Sequence, residues 1–214
     1  ITPLIFASGW HNLKIMKLLV DAKSNINACC KYGTPLIKAV VANENIIRNS
    51  KYTKYDIVTF LLEAKADVNK KNPGIGNETA LSMAIEDYKI SDYKISELLL
   101  KNKANPNLFD YDGLYPISSA IDANNLPIIQ LLIEHKANIN ISQTMVHNNK
   151  PLIFKNQKGE HLGIIIEESP LIRSLLDNES TYEIHKYLID MKANIDQCRS
   201  SDEIYPVALA AEKK

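Results

Sequence analysis

Residues 131–140 read Leu-Leu-Ile-Glu-His-Lys-Ala-Asn-Ile-Asn, and this phrase decides the fold because it recurs. It comprises apolar residues, a short spacer, Lys, a small residue, Asn or Asp, an apolar residue or Pro, and Asn or Asp. The other copies run from Leu18 to Asn27, Leu61 to Asn69, Leu98 to Asn107 and Leu188 to Asp196. A second phrase interleaves with it: Thr2-Pro3-Leu4, Thr34-Pro35-Leu36, Thr79-Ala80-Leu81, Tyr115-Pro116-Ile117, Ser169-Pro170-Leu171 and Tyr205-Pro206-Val207. Thr or Ser ahead of Pro is a helix start. The hydroxyl accepts a bond from a free first-turn amide, and Pro occupies a site where no amide bond is lost. Asn12, Asp92 and Asn125 are placed to cap a second helix, with Pro127 in the first turn of one of them. Each unit is therefore predicted as helix, tight turn, helix and an Asn-rich connection. Its apolar stripe is buried only by stacking on neighbouring units.

A chain of 214 residues with 45% hydrophobic and 23% charged residues can bury a sizeable core. Lys plus Arg equals Asp plus Glu at 25 each, which disfavours nucleic acid or an anionic membrane surface as partner. No apolar run approaches the roughly 20 residues a membrane helix needs. Cys29, Cys30 and Cys198 have no metal-like spacing, and an intracellular, cytoplasmic setting is expected. Adjacent Cys29 and Cys30 read as small residues in a turn rather than as a nucleophile. The five histidines form no HExxH pair and the glycines no phosphate-binding loop, so no catalytic, metal or cofactor site is expected.

The interleaved phrases resemble the ankyrin repeat family, whose marks are a T-P-L helix start and an L-L-x-x-G-A-D-V-N helix end about every 33 residues. The resemblance implies an all-α ankyrin-repeat solenoid spanning residues 1–214. Repeats are expected at 1–33, 34–78, 79–114, 115–168 and 169–204, with a partial unit at 205–214. Two departures stand out. The His that follows T-P-L in the family is replaced by Ile5, Ile37, Ser82, Ser118, Ile172 and Ala208, so its turn-stitching bonds should be absent. The glycine that ends the second helix is replaced by Lys23, Lys65, Lys103, Lys136 and Lys192.

Helix starts are spaced by 32, 45, 36, 54 and 36 residues, which places insertions at about 43–54 and 141–168. In the larger one, Leu152-Ile153-Phe154 and Leu162 to Ile166 are β-prone around a turn at 156–159, predicting a β-hairpin finger.

The resemblance also implies a protein-protein interaction module that binds its partner in a concave groove. Positions mapped to that groove are Trp10 and Tyr32 at the first end, then Glu78, Glu86, Asp87, Tyr111, Asp112, Asp122 and Asp177. Phe154, Lys158 and His161 represent the finger. A partner with a basic segment fits the later, acidic positions, and a monomer is expected. The alternative is a substrate-recognition region of a larger enzyme. The Lys-, Asn- and Ile-rich style resembles effectors that intracellular bacteria or viruses deploy in a host cell, and the chain is expected to continue beyond Lys214, where an apolar stretch is left without a capping repeat.

Overall fold

The computed structural model describes residues 2–42, 50–72, 74, 76–86, 93–110, 113–144, 146–147, 150–151, 154–155, 161–162, 167–177, 181–197 and 205–206, with backbone alone at 86, 143–162 and 167. They fall into two compact units, Ile1–Asn105 and Pro106–Lys214. The first holds α1 (Pro3–Gly9), α2 (Leu13–Asp21), α3 (Pro35–Val40), α4 (Lys54–Glu63), α5 (Ala80–Glu86) and α6 (Tyr93–Lys101). The second holds α7 (Pro116–Asp122), α8 (Leu126–Glu134), six two-residue strands, α9 (Pro170–Leu176) and α10 (Tyr182–Asp190).

The starts are capped as the sequence predicts. Thr2, Thr34 and Ser169 accept from Ile5 N, Ile37 N and Ile172 N at 3.4, 3.2 and 3.4 Å. Asn12 and Asn125 cap α2 and α8 through Ile15 N and Ile128 N. Asp92 lies outside the described residues. Helix α4 begins at Lys54, inside the expected insertion, because Thr53 and Asp56 form a capping box. Hydrogen bonds from the Thr53 hydroxyl and then its amide hold the Asp56 carboxyl below its ordinary pKa.

Every second helix ends in the same way. Lys23, Lys65, Lys103, Lys136 and Lys192 have φ of 62, 68, 69, 69 and 65°. The next amide in each case bonds back to a Leu carbonyl five residues earlier, as Ser24 N does to Leu19 O at 2.9 Å and Ala137 N to Leu132 O at 2.8 Å. This double closure forces the lysine into the left-handed region, where a Cβ crowds the backbone and glycine meets no such clash.

The Asn that closes the repeated phrase joins one copy to the next. The Oδ1 atoms of Asn27 and Asn69 accept from Asp67 N and Asn105 N in the first unit, each at 2.7 Å. Those of Asn107 and Asn140 accept from Asn138 N and Asn194 N in the second, also at 2.7 Å. Asn69 Nδ2 further donates to Lys103 O at 3.1 Å, and Asn107 Nδ2 to Lys136 O at 3.0 Å. Only an amide side chain supplies both halves, which explains why Asn recurs here. Asn69→Ala should lower stability by about 1 kcal/mol in urea denaturation, and Asn69→Asp, which keeps the acceptor alone, should cost less.

The insertion differs from the expected finger. Its described residues form three separate antiparallel pairs: β1 (Gln143–Thr144) with β6 (Glu167–Glu168), β2 (Val146–His147) with β3 (Lys150–Pro151), and β4 (Phe154–Lys155) with β5 (His161–Leu162). Two-residue ladders do not amount to one continuous hairpin. The predicted turn at 156–159 and most of 163–166 lie outside the described residues, as do 43–49 of the smaller insertion and 207–214 of the partial unit.

The core is aliphatic. Leu4, Ile5, Met16, Leu36 and Ile37 fill the first unit, with Ile117, Ile121, Ile129, Leu132 and Leu171 in the second. Among the buried polar residues is His11, 2% exposed at φ 52°. Its Nε2 lies 3.2 Å from Ala39 O, and Nδ1 has no hydrogen-bond partner among the described residues. Burial lowers the His11 pKa; the Ala39 carbonyl opposes this and the charge of Lys54 adds to it. The folded chain therefore prefers neutral imidazole, and as pH falls through about 6.5 the unfolded chain takes up the proton first. Acidification from pH 7.5 to 5.5 should lower the urea midpoint, and His11→Asn should flatten that dependence.

Candidate functional site

In the first unit, α1 buries Leu4, Ile5, Ala7 and Ser8, which leaves Phe6 and Trp10, one helical turn apart, on its open side. Trp10 is 56% exposed and its ring lies 5.9 Å from that of Phe6, tilted by 43°. Tyr32 is exposed in the turn between α2 and α3, with Lys31 Nζ 5.0 Å from its ring centre. The turn is closed by bonds between Cys30 and Gly33, whose φ of 109° places any added Cβ against Ile37. Cys29 bonds through Sγ to the buried Asn72 at 3.5 Å, consistent with a structural role for a free thiol. A recess of about 330 Å³ between α2 and α4 is lined by Tyr52, Tyr55 and Phe60 with Lys17, Asp56 and Glu63.

The expected acidic positions fare unevenly. Glu78 is buried, and its carboxylate accepts from Ser82 Oγ at 2.5 Å. Ser82 Oγ also accepts from Thr79 N at 2.8 Å, while Thr79 Oγ1 accepts from Ser82 N at 3.1 Å. The stitching bonds expected to vanish with the family's His are thus partly rebuilt by a serine in this repeat. Its short hydroxyl reaches the same turn and turns Glu78 inward. Glu86 ends α5 with its backbone alone described, and Asp87, Tyr111 and Asp112 lie outside the described residues. Phe154 and His161 are placed by backbone on β4 and β5, and Lys158 lies outside the described residues.

In the second unit Asp122 and Asp177 come together around Arg173, a residue the sequence reading passed over. Arg173 Nε and Nη2 bond to Asp122 Oδ1 and Oδ2 at 2.7 and 2.5 Å, and Nη1 bonds to Glu168. The Arg side chain is 14% exposed and that of Glu168 7%. Burial opposes the guanidinium charge, but the bonds and charges of Asp122 and then Glu168 more than offset it and raise the Arg173 pKa. These residues, with Leu176 and Asp177, line a recess of about 310 Å³. The signal that would have exposed the clamp is positional: Arg173 is the fourth residue of its helix and Asp122 the seventh of the preceding first helix. Among the described residues, no group of three or more His, Cys, Asp or Glu could hold a metal ion, and no helix is long and apolar enough to cross a membrane.

Comparison with known proteins gives a consistent result. A family model described as ankyrin repeats in three copies matches residues 1–72 and 46–143. An ankyrin repeat protein of fowlpox virus is 35% identical over 181 residues, covering 71% of this chain and 90% of the relative. A second from the same virus is 32% identical over 147 residues, covering 68% of this chain and 40% of the relative. One from Acanthamoeba polyphaga mimivirus is 29% identical over 161 residues, covering 66% of this chain and 24% of the relative. The chain therefore spans well under half of those two relatives. The crystal structure of an ankyrin repeat domain from Acinetobacter baumannii superposes with a TM-score of 0.73 over 99% of this chain and 91% of the other, at 19% identity, which speaks to the fold.

Proposed function

Since this chain belongs to the ankyrin repeat family, whose repeats are in general protein-protein interaction modules, we propose that it binds a partner protein with Trp10 and Tyr32 as apolar anchors. The observation that carries this reading is the 56% exposure of Trp10, whose ring lies 5.9 Å from that of Phe6. Large aromatic side chains with few rotatable bonds dominate binding energy at interfaces, because they bury much area for little entropy. Catalysis is not part of this reading.

The finer features of the partner follow from charge. A basic segment on the partner suits the acidic positions Glu78, Glu86, Asp87, Asp112, Asp122 and Asp177, of which Glu78 is already engaged by Ser82 and Asp122 by Arg173. Tyr111 adds a further aromatic contact. The insertion at 141–168 supplies a second contact, through Phe154, Lys158 and His161. The chain acts as a monomer inside a cell, and the fowlpox virus and mimivirus relatives favour a host cell as that setting. An enzyme that uses this chain to recruit substrate is the alternative, supported by how much longer two of the relatives are.

The test replaces Met145 to Glu167 by a short Gly-Ser turn, checks by circular dichroism that the helices persist, and compares proteins captured by the two chains. Loss of a specific partner from the still-folded variant is the expected result. Retention of every partner at unchanged affinity would remove the insertion from the interface.

A further inference from the structure

Cys29 and Cys30 are free thiols at the foot of the turn that carries Lys31 and Tyr32, the first exposed and the second half-buried. Their sulfurs serve different partners. Cys29 Sγ donates to Asn72 Oδ1 at 3.5 Å, a link to the connection between α4 and α5. Cys30 Sγ accepts from Tyr32 N at 3.4 Å and donates to Gly33 O at 3.8 Å, inside its own turn. Asn72 is fully buried; its Oδ1 also accepts from Gly74 N at 3.1 Å, while Nδ2 has no partner among the described residues. Gly74 lies so close to the turn that an added Cβ would sit 2.5 Å from Lys31 Cα. Besides that backbone approach, the turn is tied to Asn72 by one weak sulfur bond to a buried amide whose donor half is idle.

We propose that Cys29 and Cys30 form a reversible disulfide with each other, and that this bridge is a redox switch on the turn bearing Tyr32. The earlier reading of both cysteines as turn residues describes the reduced form. Adjacent Cα atoms are about 3.8 Å apart across a trans peptide, below the roughly 4.4–6.8 Å of ordinary disulfides, so the bridge is strained. Strained or exposed disulfides are the readily reduced, regulatory ones. In the exchange, the thiolate of the more exposed Cys29 attacks one sulfur of a low-molecular-mass disulfide and releases the first thiol. The Cys30 thiolate then attacks Cys29 Sγ in the mixed disulfide and releases the second. Two cysteine thiols are oxidised and one external disulfide is reduced to two thiols, so electrons and protons balance. Closing the bridge draws Cys29 Sγ away from Asn72 and Cys30 Sγ away from the Tyr32 amide, which frees the turn. Any consequence for a partner rests on Tyr32 as an anchor; the chemistry of the pair does not.

Proteolysis after Lys23 and Lys31 yields residues 24–31, which contain both cysteines and exclude Cys198. The test incubates the full chain with excess oxidised glutathione, alkylates residual thiols and determines the mass of that peptide. The expected peptide is unalkylated and two hydrogens lighter than the dithiol, and excess reduced glutathione restores the dithiol. Cys30→Ser should stop at a glutathione adduct on Cys29. In the bridged chain the Tyr32 amide should exchange hydrogen at least about threefold faster. A peptide that keeps both thiols, or that stops at the adduct with Cys30 present, would overturn the bridge, and unchanged Tyr32 exchange would overturn the switch. A bridged chain with faster exchange that holds its partner at unaltered affinity would count against Tyr32 as an anchor and leave the bridge standing.

Discussion

Replacing Lys23, Lys65, Lys103, Lys136 and Lys192 together by glycine should raise the stability of the chain by several kcal/mol. Each lysine is held at φ between 62 and 69° by paired bonds to the end of its helix. The left-handed conformation costs a residue with a Cβ about 1–2 kcal/mol, and the entropy glycine loses on folding returns part of that. A lysine at a helix C-terminus also gains a few tenths of a kcal/mol from the macrodipole. The net is about 1 kcal/mol per site, and the effects of separate repeats are expected to add. The lysine carbonyls that accept from Asn69 and Asn107 survive the exchange, so no bond between copies is lost. Urea denaturation of the single and combined variants measures the effect; a combined variant no more stable than the parent would mean that the lysine side chains contribute contacts worth as much as the strain.

The second large effect is expected at Arg173. Its guanidinium bonds Asp122 through two nitrogens and Glu168 through the third, tying α9 to α7 and to the last strand of the insertion. Arg173→Met leaves the nearly buried Glu168 carboxylate without its cation, and breaking a pair of this kind costs about 3 kcal/mol. Adding Glu168→Gln and Asp122→Asn should recover most of the loss, because the penalty lies in the abandoned charges rather than in the absence of a salt bridge. A loss under about 1 kcal/mol for Arg173→Met would place the cluster among solvent-screened surface pairs.

What the sequence made legible was local. The Thr2, Thr34, Ser169, Asn12 and Asn125 caps and the helix ends act within four or five residues, and these could be read from types and spacing alone, whereas the Thr53 cap fell inside the stretch read as an insertion. The left-handed lysines were legible for the same reason, since the residue before the small residue and Asn must close the helix. The role of the phrase-ending Asn was not, because its bonds to the next copy span 29 to 54 residues. The Arg173 clamp spans 51 residues and needs the repeats aligned position by position before Asp122 and Arg173 face one another. Glu78 was mapped outward by analogy, but a hydroxyl at Ser82, where the family carries an imidazole, draws its carboxylate into the core edge. The β-prone stretches of the insertion gave strand type correctly at Phe154 and Leu162 but not extent, since propensity does not determine how far a ladder continues.

The most direct test of partner recognition through the first unit is a binding titration against a protein captured by the unaltered chain, repeated with Trp10→Ala and Tyr32→Ala after circular dichroism shows unchanged helicity. Both side chains are exposed, so neither substitution should disturb the fold. The account predicts that Trp10→Ala weakens binding by at least about tenfold, the loss expected of a central aromatic anchor. Affinity unchanged by both substitutions would contradict it and move recognition away from the first unit.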